Sequence, residues 1–267
     1  MIRLLAVDMD GTCLNEKKQI SDRTMQALIR ADEAGILVVP TTGRSLRCLP
    51  LQLQGRGFYR YVISSNGAVV TDTKTGELLF EAKIPWQQGL ELAERCEDKN
   101  LGVSAHVDHQ FLIQGHLLRL IGRIGYGKDA SNTTYIRSLS SYLRKNRKDP
   151  EEIQLFHLND RMRHDAASVL DGYDCLQQAR TEYYTEIYSQ DASKGTALAA
   201  LAGKLGIPRE QIACIGDGEN DLSMFRVSGL RLAMGNSIGV LRDQADAVLA
   251  SNREDGAAEA IEQYILA

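Results

Sequence analysis

The segment Leu4-Leu5-Ala6-Val7-Asp8-Met9-Asp10-Gly11-Thr12 is a short apolar run that ends in two aspartates. Its first four residues are typical of a strand buried on both faces of a parallel sheet, and Gly11 supplies a turn directly after it. Asp8 and Asp10 therefore stand at the carboxyl end of a buried strand, where ligands bind in doubly wound folds. The two carboxylates repel each other unless a cation lies between them. The alternative is an Asp-Gly turn with a spare surface acid.

Other apolar runs along the chain also end in residues that carry oxygen or charge. Between the first two runs, Ser21 can cap a helix with the apolar stripe Met25, Leu28 and Ile29. Strand, helix and strand in this order predict crossover units and a parallel sheet. We therefore expect an α/β fold with a Rossmann-like doubly wound parallel sheet. The later runs are residues 36–39, 61–63, 212–215 and 230–233.

The middle of the chain has a different pattern. Strand-like and helical segments alternate there with longer polar loops, and the strand-like residues 102–107 and 153–158 alternate polar and apolar side chains. Such alternation predicts a sheet that is exposed on one face. We interpret residues 84–186 as an α+β domain inserted into a core formed by residues 1–83 and 187–267.

Length and composition limit the classes of protein to consider. The 267 residues suffice for one large domain or two modest ones, and a net charge of −4 gives no reason to expect nucleic acid as a partner. We expect no membrane association, since no apolar run approaches spanning length, and no signal peptide. The five cysteines are scattered without C-x-x-C spacing. This argues against a disulfide framework or a zinc site and favours a reducing cytoplasm.

Four acids are expected to meet at one edge of the sheet: Asp8, Asp10, Asp217 and Asp221. Carboxylate oxygens without Cys or His partners suit a hard cation, with Mg²⁺ before Ca²⁺. For the segment that contains Asp217 and Asp221, the alternative is a solvated acidic turn.

Two further residues are candidates for binding an anion. Lys194 lies in the first turn of a predicted helix, where its charge opposes the helix dipole, so we expect it to reach an anion among the acids. The alternative is an exposed lysine that follows the N-cap Ser193. The Thr42 hydroxyl and the Gly43 amide could donate to a phosphate oxygen, unless Thr42 is the N-cap of the next helix.

Four segments that contain these candidate residues resemble, in order along the chain, the four motifs of the haloacid dehalogenase-like phosphohydrolases. The long insertion between Thr42 and Lys194 resembles the type II cap of the Cof-like branch. Two departures do not remove a reacting group: Cys13 replaces a usual aliphatic residue, and Pro40-Thr41 precedes Thr42 where small apolar residues are common. The segments are Asp8 to Thr12, Thr42-Gly43-Arg44, Lys194 and Gly216 to Asp221, with Ser65-Asn66-Gly67 and Met234-Gly235-Asn236 as further points of similarity.

The resemblance implies a role for each acid. Asp8 would attack phosphorus and carry an aspartyl-phosphate. Asp10 would act as general acid and base, with a pKa raised by its carboxylate neighbours. Mg²⁺ would be held by Asp8, the Asp10 carbonyl and Asp217, with Asp221 binding it directly or through water, or orienting Asp217.

The resemblance also implies which groups hold the phosphoryl oxygens. They are the side chains of Lys194, Thr42 and Asn220 and the backbone amides of Met9 and Gly43. The cap would close over this edge and contribute the contacts with the rest of the substrate.

Together these observations predict a Mg²⁺-dependent phosphatase of a small phosphorylated metabolite, such as a sugar phosphate or a phosphorylated cofactor. A phosphomutase on the same scaffold would keep every motif. A receiver-like signalling protein that stores phosphate on an aspartate is a third interpretation, although Asp10 supplies an acid–base group that a slow switch lacks. The sequence names neither the substrate nor a protein partner.

Overall fold

The computed structural model describes residues 1–115 and 132–267. The chain divides into two compact units: one comprises Met1–Arg44, Gln52–Glu81 and Ser193–Ala267, and the other comprises Ser45–Leu51 and Ala82–Ala192. Residues 116–131, part of the expected insertion, lie outside the described ranges. Within those ranges no helix is long and apolar enough to cross a membrane. All five cysteines are described, and no disulfide joins them.

The strands and helices are numbered along the described residues. The strands are β1 Leu4–Asp8, β2 Leu37–Thr41, β3 Tyr61–Ser64, β4 Val69–Asp72, β5 Leu78–Glu81, β6 Gly102–Val107, β7 Gln110–Gln114, β8 Thr133–Ile136, β9 Pro150–Phe156, β10 Leu176–Arg180, β11 Tyr184–Ser189, β12 Ile212–Gly216, β13 Leu230–Ala233 and β14 Ala247–Val248. The α-helices are α1 Asp22–Glu33, α2 Trp86–Asp98, α3 Leu139–Asn146, α4 Asp160–Val169, α5 Lys194–Leu205, α6 Leu222–Val227, α7 Gly239–Arg242 and α8 Gly256–Ala260.

The first unit is built on an eight-stranded sheet in the order β14-β13-β12-β1-β2-β3-β4-β5. The pairs from β14 to β3 are parallel, and β3, β4 and β5 pair antiparallel. This arrangement confirms the predicted α/β core and the hairpin that follows it. Because β1 lies between β2 and β12, the carboxyl end of β1 is adjacent to the carboxyl ends of both neighbours.

Two helices of this unit begin as the sequence predicts. Ser21 accepts a hydrogen bond from the Thr24 N–H at the start of α1, and Ser193 forms a capping box with Thr196 at the start of α5. Gly206, with φ of 62°, ends α5 in the left-handed conformation. The buried face of α5 packs into the apolar core of the sheet, so Lys194 is fixed by the first turn of a well-anchored helix.

The second unit is built on a six-stranded sheet in the order β10-β11-β9-β6-β7-β8, with antiparallel pairs except for β7 with β8. Helices α2, α3 and α4 contribute residues to its apolar core. Antiparallel strands with helices on one face confirm the predicted α+β character.

The expectation that this sheet exposes one face is wrong for β9, one of its two central strands. All residues of β9 from 150 to 155 are buried, including the polar Glu151, Glu152 and Gln154. Their side chains have hydrogen-bond partners: Gln154 Nε2 donates to Glu152 Oε1 at 2.7 Å, and the His109 N–H donates to Glu151 Oε1 at 2.8 Å. The alternation of polar and apolar residues therefore indicated which side chains share a face of the sheet. It did not indicate whether the polar face is exposed to solvent or buried with hydrogen-bond partners.

The two units divide at positions that differ from the expected boundaries of the insertion. The expected boundary at 186/187 falls inside β11, which pairs with both β9 and β10 and so belongs wholly to the second unit. The segment Ser45–Leu51 also joins this unit, because Cys48 packs with Phe111 and Ile113. Contacts across long stretches of sequence decide both assignments, and the local sequence pattern does not show them.

Candidate active site

Lys194 is a buried cation held between two carboxylates. Its Nζ donates to Asp8 Oδ1 at 2.5 Å and to Asp221 Oδ1 at 2.7 Å, and the residue is 1% exposed. Burial by itself lowers the pKa of Lys194, but the charges of Asp221 and Asp8 outweigh burial and raise it. Lys194 is therefore charged, and the alternative of a merely exposed lysine is wrong.

Asp221 organises the loop that follows β12. Its Oδ2 accepts hydrogen bonds from the backbone N–H groups of Asp217 and Gly218, at 2.9 and 3.0 Å. Because Oδ1 already accepts from Lys194, both oxygens of this fully buried carboxylate have donors. The arrangement excludes the alternative of a solvated turn for Asp221 and makes it a support for the position of Asp217.

Asp217 is held against the turn that follows β1. The Thr12 hydroxyl donates to Asp217 Oδ1 at 3.0 Å, and Asn236 Nδ2 donates to the Gly11 carbonyl at 2.8 Å. Gly11 has φ of +87°, and a Cβ at this position would lie 2.2 Å from Asp217 Oδ2. Only glycine allows both this backbone conformation and the close approach of the carboxylate.

Three carboxylates converge in a way that fits a hard divalent cation. One oxygen from each of Asp8, Asp217 and Asp221 lies within 4.8 Å of the others. Asp8 Oδ2 is buried and has no hydrogen-bond partner among the described residues. Burying an anionic oxygen without a partner is costly, and a cation would remove that cost. The residues present therefore fit Mg²⁺.

The electrostatics of the acids support the same conclusion. Burial raises the pKa of Asp8 well above its usual range, and the charges of Asp221 and Asp217 add to this effect while Lys194 opposes it. Burial, followed by the charge of Asp221, raises the pKa of Asp217 to about 6. These raised pKa values mean that one lysine does not suffice to keep all the acids ionised, and a bound cation would favour their ionised forms.

The expectation that the pKa of Asp10 is raised is wrong, because basic side chains bind its carboxylate. Arg44 donates to both of its carboxylate oxygens, through Nε at 2.8 Å and Nη2 at 2.8 Å, and Lys18 Nζ donates to Oδ1 at 3.3 Å. Burial raises the pKa of Asp10, but the hydrogen bonds and charge of Arg44, together with the charge of Lys18, outweigh it and lower the pKa. The Asp10 carboxylate is thus outside the group of three, and metal binding through its carbonyl stays a prediction.

The segment after β2 places Thr42 and Gly43 beside the turn that follows β3. Thr42 Oγ1 accepts from the Arg44 N–H at 3.1 Å, and Ser45, not Thr42, is the N-cap of the next short helical segment, so the N-cap alternative for Thr42 is wrong. A Cβ on Gly43 would lie 3.0 Å from Asn66 Oδ1. The Met9 side chain is buried in the core of the sheet. The phosphate-binding roles of Thr42 and of the Met9 and Gly43 amides stay predictions.

Sequence reasoning gave no role to four residues that take part in this arrangement: Arg44, Thr12, Asn66 and Asn236. Thr12 and Arg44 lie inside motif segments, and Asn66 and Asn236 lie in the two further segments of similarity, so their side chains could have been considered as partners of the acids. Asn236 contacts a residue 225 positions away, and no local sequence signal indicates such a pair.

Cys13, the departure from the family pattern, is buried, and burial raises the pKa of its thiol. A buried thiol with a raised pKa is a poor nucleophile, so Cys13 contributes packing and not chemistry.

Comparison with known proteins agrees with the geometry. A phosphatase of Bacillus subtilis (strain 168), YcsE, which acts on 5-amino-6-(5-phospho-D-ribitylamino)uracil, is 28% identical, with 99% of this chain and 96% of that protein covered. The pyridoxal phosphate phosphatase YbhA of Escherichia coli (strain K12) is 24% identical, with 99% of both covered. A solved haloacid dehalogenase-like hydrolase from B. subtilis superposes with a TM-score of 0.86 and 28% identity, over 99% of this chain and 100% of that one. Residues 5–261 match the sequence profile of that family, and the chain belongs to the haloacid dehalogenase-like hydrolases.

Proposed function

We propose that the protein is a Mg²⁺-dependent phosphatase that hydrolyses a small phosphorylated metabolite, a sugar phosphate or a phosphorylated cofactor, through an aspartyl-phosphate on Asp8. The observation that carries the proposal is the buried, unpartnered Oδ2 of Asp8 beside Asp217, Asp221 and Lys194. A carboxylate oxygen kept without a hydrogen-bond donor is available as a metal ligand and, once a cation favours its ionised form, as a nucleophile. The named substrates of the two relatives, one a ribityl phosphate and the other a phosphorylated cofactor, support the substrate class.

In the first step, an Asp8 oxygen attacks phosphorus and the bond to the leaving oxygen breaks, while Asp10 gives that oxygen a proton. In the second step, Asp10 takes a proton from water, the water oxygen attacks phosphorus, and the bond to Asp8 breaks. When bound, the cation held by Asp8, Asp217 and the Asp10 carbonyl supplies the charge that lets an anionic nucleophile approach an anionic phosphate. Asp221 supports the Asp217 loop.

Arg44 favours the ionised form of the Asp10 carboxylate before the substrate binds. Its two hydrogen bonds favour the ionised carboxylate, so the resting enzyme holds Asp10 as a base. The acid role needs a proton, and the charge of an approaching phosphoryl group raises the pKa of a neighbouring carboxyl. In this proposal Asp10 therefore gains its proton together with the substrate.

The remaining groups hold the transferred phosphoryl oxygens. Lys194, already charged and fixed by two carboxylates, provides a preorganised positive charge. The Thr42 hydroxyl, the Asn220 amide and the backbone amides of Met9 and Gly43 are the proposed donors. We propose that the second unit, Ser45–Leu51 and Ala82–Ala192, acts as the cap that contacts the rest of the substrate. We also propose that the protein works in the cytoplasm, in keeping with its five cysteines outside any disulfide.

The test is phosphate release from a panel of phosphorylated sugars and phosphorylated cofactors with Mg²⁺ present. We expect release that stops with excess chelator and returns when Mg²⁺ is restored. Asp8→Asn is expected to be inactive but still folded, because Lys194 keeps Asp221 as a charged partner. Activity that survives complete removal of metal, or that persists in Asp8→Asn, would contradict the mechanism. Formation of an isomer without free phosphate would identify a mutase instead.

A further inference from the structure

The turn between β3 and β4 has a left-handed backbone at three successive residues. The φ angles of Ser65, Asn66 and Gly67 are 51°, 53° and 91°. Side chains of L-residues disfavour this region, and asparagine tolerates it better than most other residues. A run of three such residues persists only where surrounding contacts hold it, and such sites cluster near functional centres.

One set of contacts ties this turn to the segment that follows β2. The Asn66 N–H donates to the Thr42 carbonyl at 3.1 Å, and the Ser65 N–H donates to the Arg44 carbonyl at 2.9 Å. The Asn66 side chain lies against Gly43, where a Cβ would come within 3.0 Å of Oδ1. The left-handed backbone is what points these successive N–H groups toward residues 42–44.

A second set of contacts reaches two other segments of the site. A Cβ on Gly67 would lie 2.1 Å from the Ser193 carbonyl, so the turn packs directly on the start of α5. Asn66 Oδ1 accepts a hydrogen bond from Asn220 Nδ2 at 3.0 Å. Asn66 is 4% exposed. One three-residue turn thus touches three segments that carry proposed phosphate-binding groups.

We infer that Asn66 is a positioning residue that acts through Asn220. The amide nitrogen of Asn220 carries two N–H groups, and the hydrogen bond to Asn66 uses one of them. The other has no acceptor among the described residues, and it becomes the donor to a phosphoryl oxygen. Asn66 fixes the orientation of this amide before the substrate binds, which avoids reorganisation during the reaction. The inference rests on the proposed phosphatase function.

The test is a double-mutant cycle between Asn66 and Asn220. Asn66→Gly removes the carboxamide and keeps a residue that adopts positive φ without strain. We expect kcat to fall about 3- to 10-fold, the range for loss of one neutral hydrogen bond, with KM and Mg²⁺ affinity little changed. In the Asn220→Ala background, Asn66→Gly is expected to cause no further loss, because its partner is already absent.

The matched control is Asn100→Gly, the same change at an asparagine with φ of 55° in the turn after α2. It is expected to leave kcat unchanged. If Asn66→Gly lowers the melting temperature, Asn66→Ser serves as the second variant, since Ser65 shows that serine adopts positive φ in this turn.

An equal loss of kcat in the wild-type and Asn220→Ala backgrounds would overturn the inference, as would wild-type activity of Asn66→Gly. If the wild-type enzyme is active, neither of these two results contradicts the proposed phosphatase function. A wild-type protein that releases no phosphate from any substrate would instead contradict the proposed function, and this inference with it.

Discussion

At the scale of single residues, the site depends on a balance of buried charges. Lys194 is the cation that compensates Asp8 and Asp221, and each of these three residues is at most 4% exposed. Removing one partner of a buried ion pair costs far more than the pair itself contributes, because the remaining charge is left without compensation.

Lys194→Met is therefore expected to lower the free energy of unfolding by about 3–5 kcal/mol in the absence of metal. Saturating Mg²⁺ should restore part of this loss, because the cation neutralises the same carboxylates. Thermal or denaturant unfolding with and without Mg²⁺ measures both effects. Lys204→Met, which removes an exposed lysine of the same helix, is the control and should change stability little. Equal effects of the two substitutions would contradict the buried-charge interpretation.

The raised pKa of Asp217, about 6, predicts how metal binding depends on pH. Protons compete with Mg²⁺ for the carboxylate, so the affinity should be highest above pH 6 and fall as the pH is lowered through 6. Titration calorimetry at several pH values should show this fall, together with proton release on binding near pH 6. A Mg²⁺ affinity that is constant from pH 5 to pH 8 would contradict the assignment of Asp217 as a ligand.

Asp10 shows why residue-level reasoning from the sequence was incomplete. The expectation of a raised pKa considered only the nearby acids, and the pKa is lowered because Arg44 and Lys18 bind the carboxylate. Arg44 was visible as a member of its motif, but the motif does not state that its guanidinium faces Asp10. Two basic residues 8 and 34 positions away decide the charge state of this acid.

At the scale of elements, turns after strands bring the proposed reacting groups together. The turn after β1 needs Gly11 for two separate reasons: its φ of +87° and the approach of Asp217 Oδ2 to within 2.2 Å of a Cβ position. Sequence alone indicated a turn at this position, but only the packing shows that the glycine also makes room for a proposed metal ligand.

Gly11→Ala is expected to lose most Mg²⁺ affinity and most activity, because the added methyl group displaces the Asp217 carboxylate. Gly76→Ala is the matched control, since Gly76 also has positive φ, +76°, but no atom lies within 4 Å of its Cβ position. Both variants should lose about 1–2 kcal/mol of stability from backbone strain. Calorimetric titration with Mg²⁺ separates them, and equal Mg²⁺ affinities would show that crowding at Asp217 is unimportant.

At the scale of the whole molecule, each of the two units has an apolar core of its own among the described residues. The first unit contains every acid of the candidate site as well as Lys194, Thr42 and Asn220. The proposed chemistry therefore belongs to a unit whose eight-stranded sheet contains no strand from the inserted residues.

Replacing residues 82–192 by a short Gly/Ser linker is expected to leave the first unit folded and able to bind Mg²⁺. Phosphate release from a small aryl phosphate should persist, whereas discrimination among phosphorylated metabolites should be lost, because the proposed substrate contacts are gone. Circular dichroism and ratios of kcat/KM measure the two outcomes. A shortened protein that does not fold would contradict the independence of the first core, and unchanged discrimination would contradict the role of the cap.

The sequence by itself determined the parallel core, the inserted α+β region and the convergence of three of the four expected acids, Asp8, Asp217 and Asp221. These features follow from local patterns, since buried strands are short apolar runs and parallel strands bring their carboxyl ends to one edge. The sequence also determined the helix starts at Ser21 and Ser193, because capping acts within one turn.

Only the tertiary structure decided the charge state of Asp10, the placement of β11 and of Ser45–Leu51 in the second unit, and the contacts of Asn66. Each depends on partners that are far apart in the chain, such as Asn66 and Asn220, which are 154 positions apart. Hydrophobic periodicity specifies which face of an element is buried, but it does not specify which side chain from another segment lies against it. The pairing of charges and hydrogen bonds at a site is therefore a property of the folded chain.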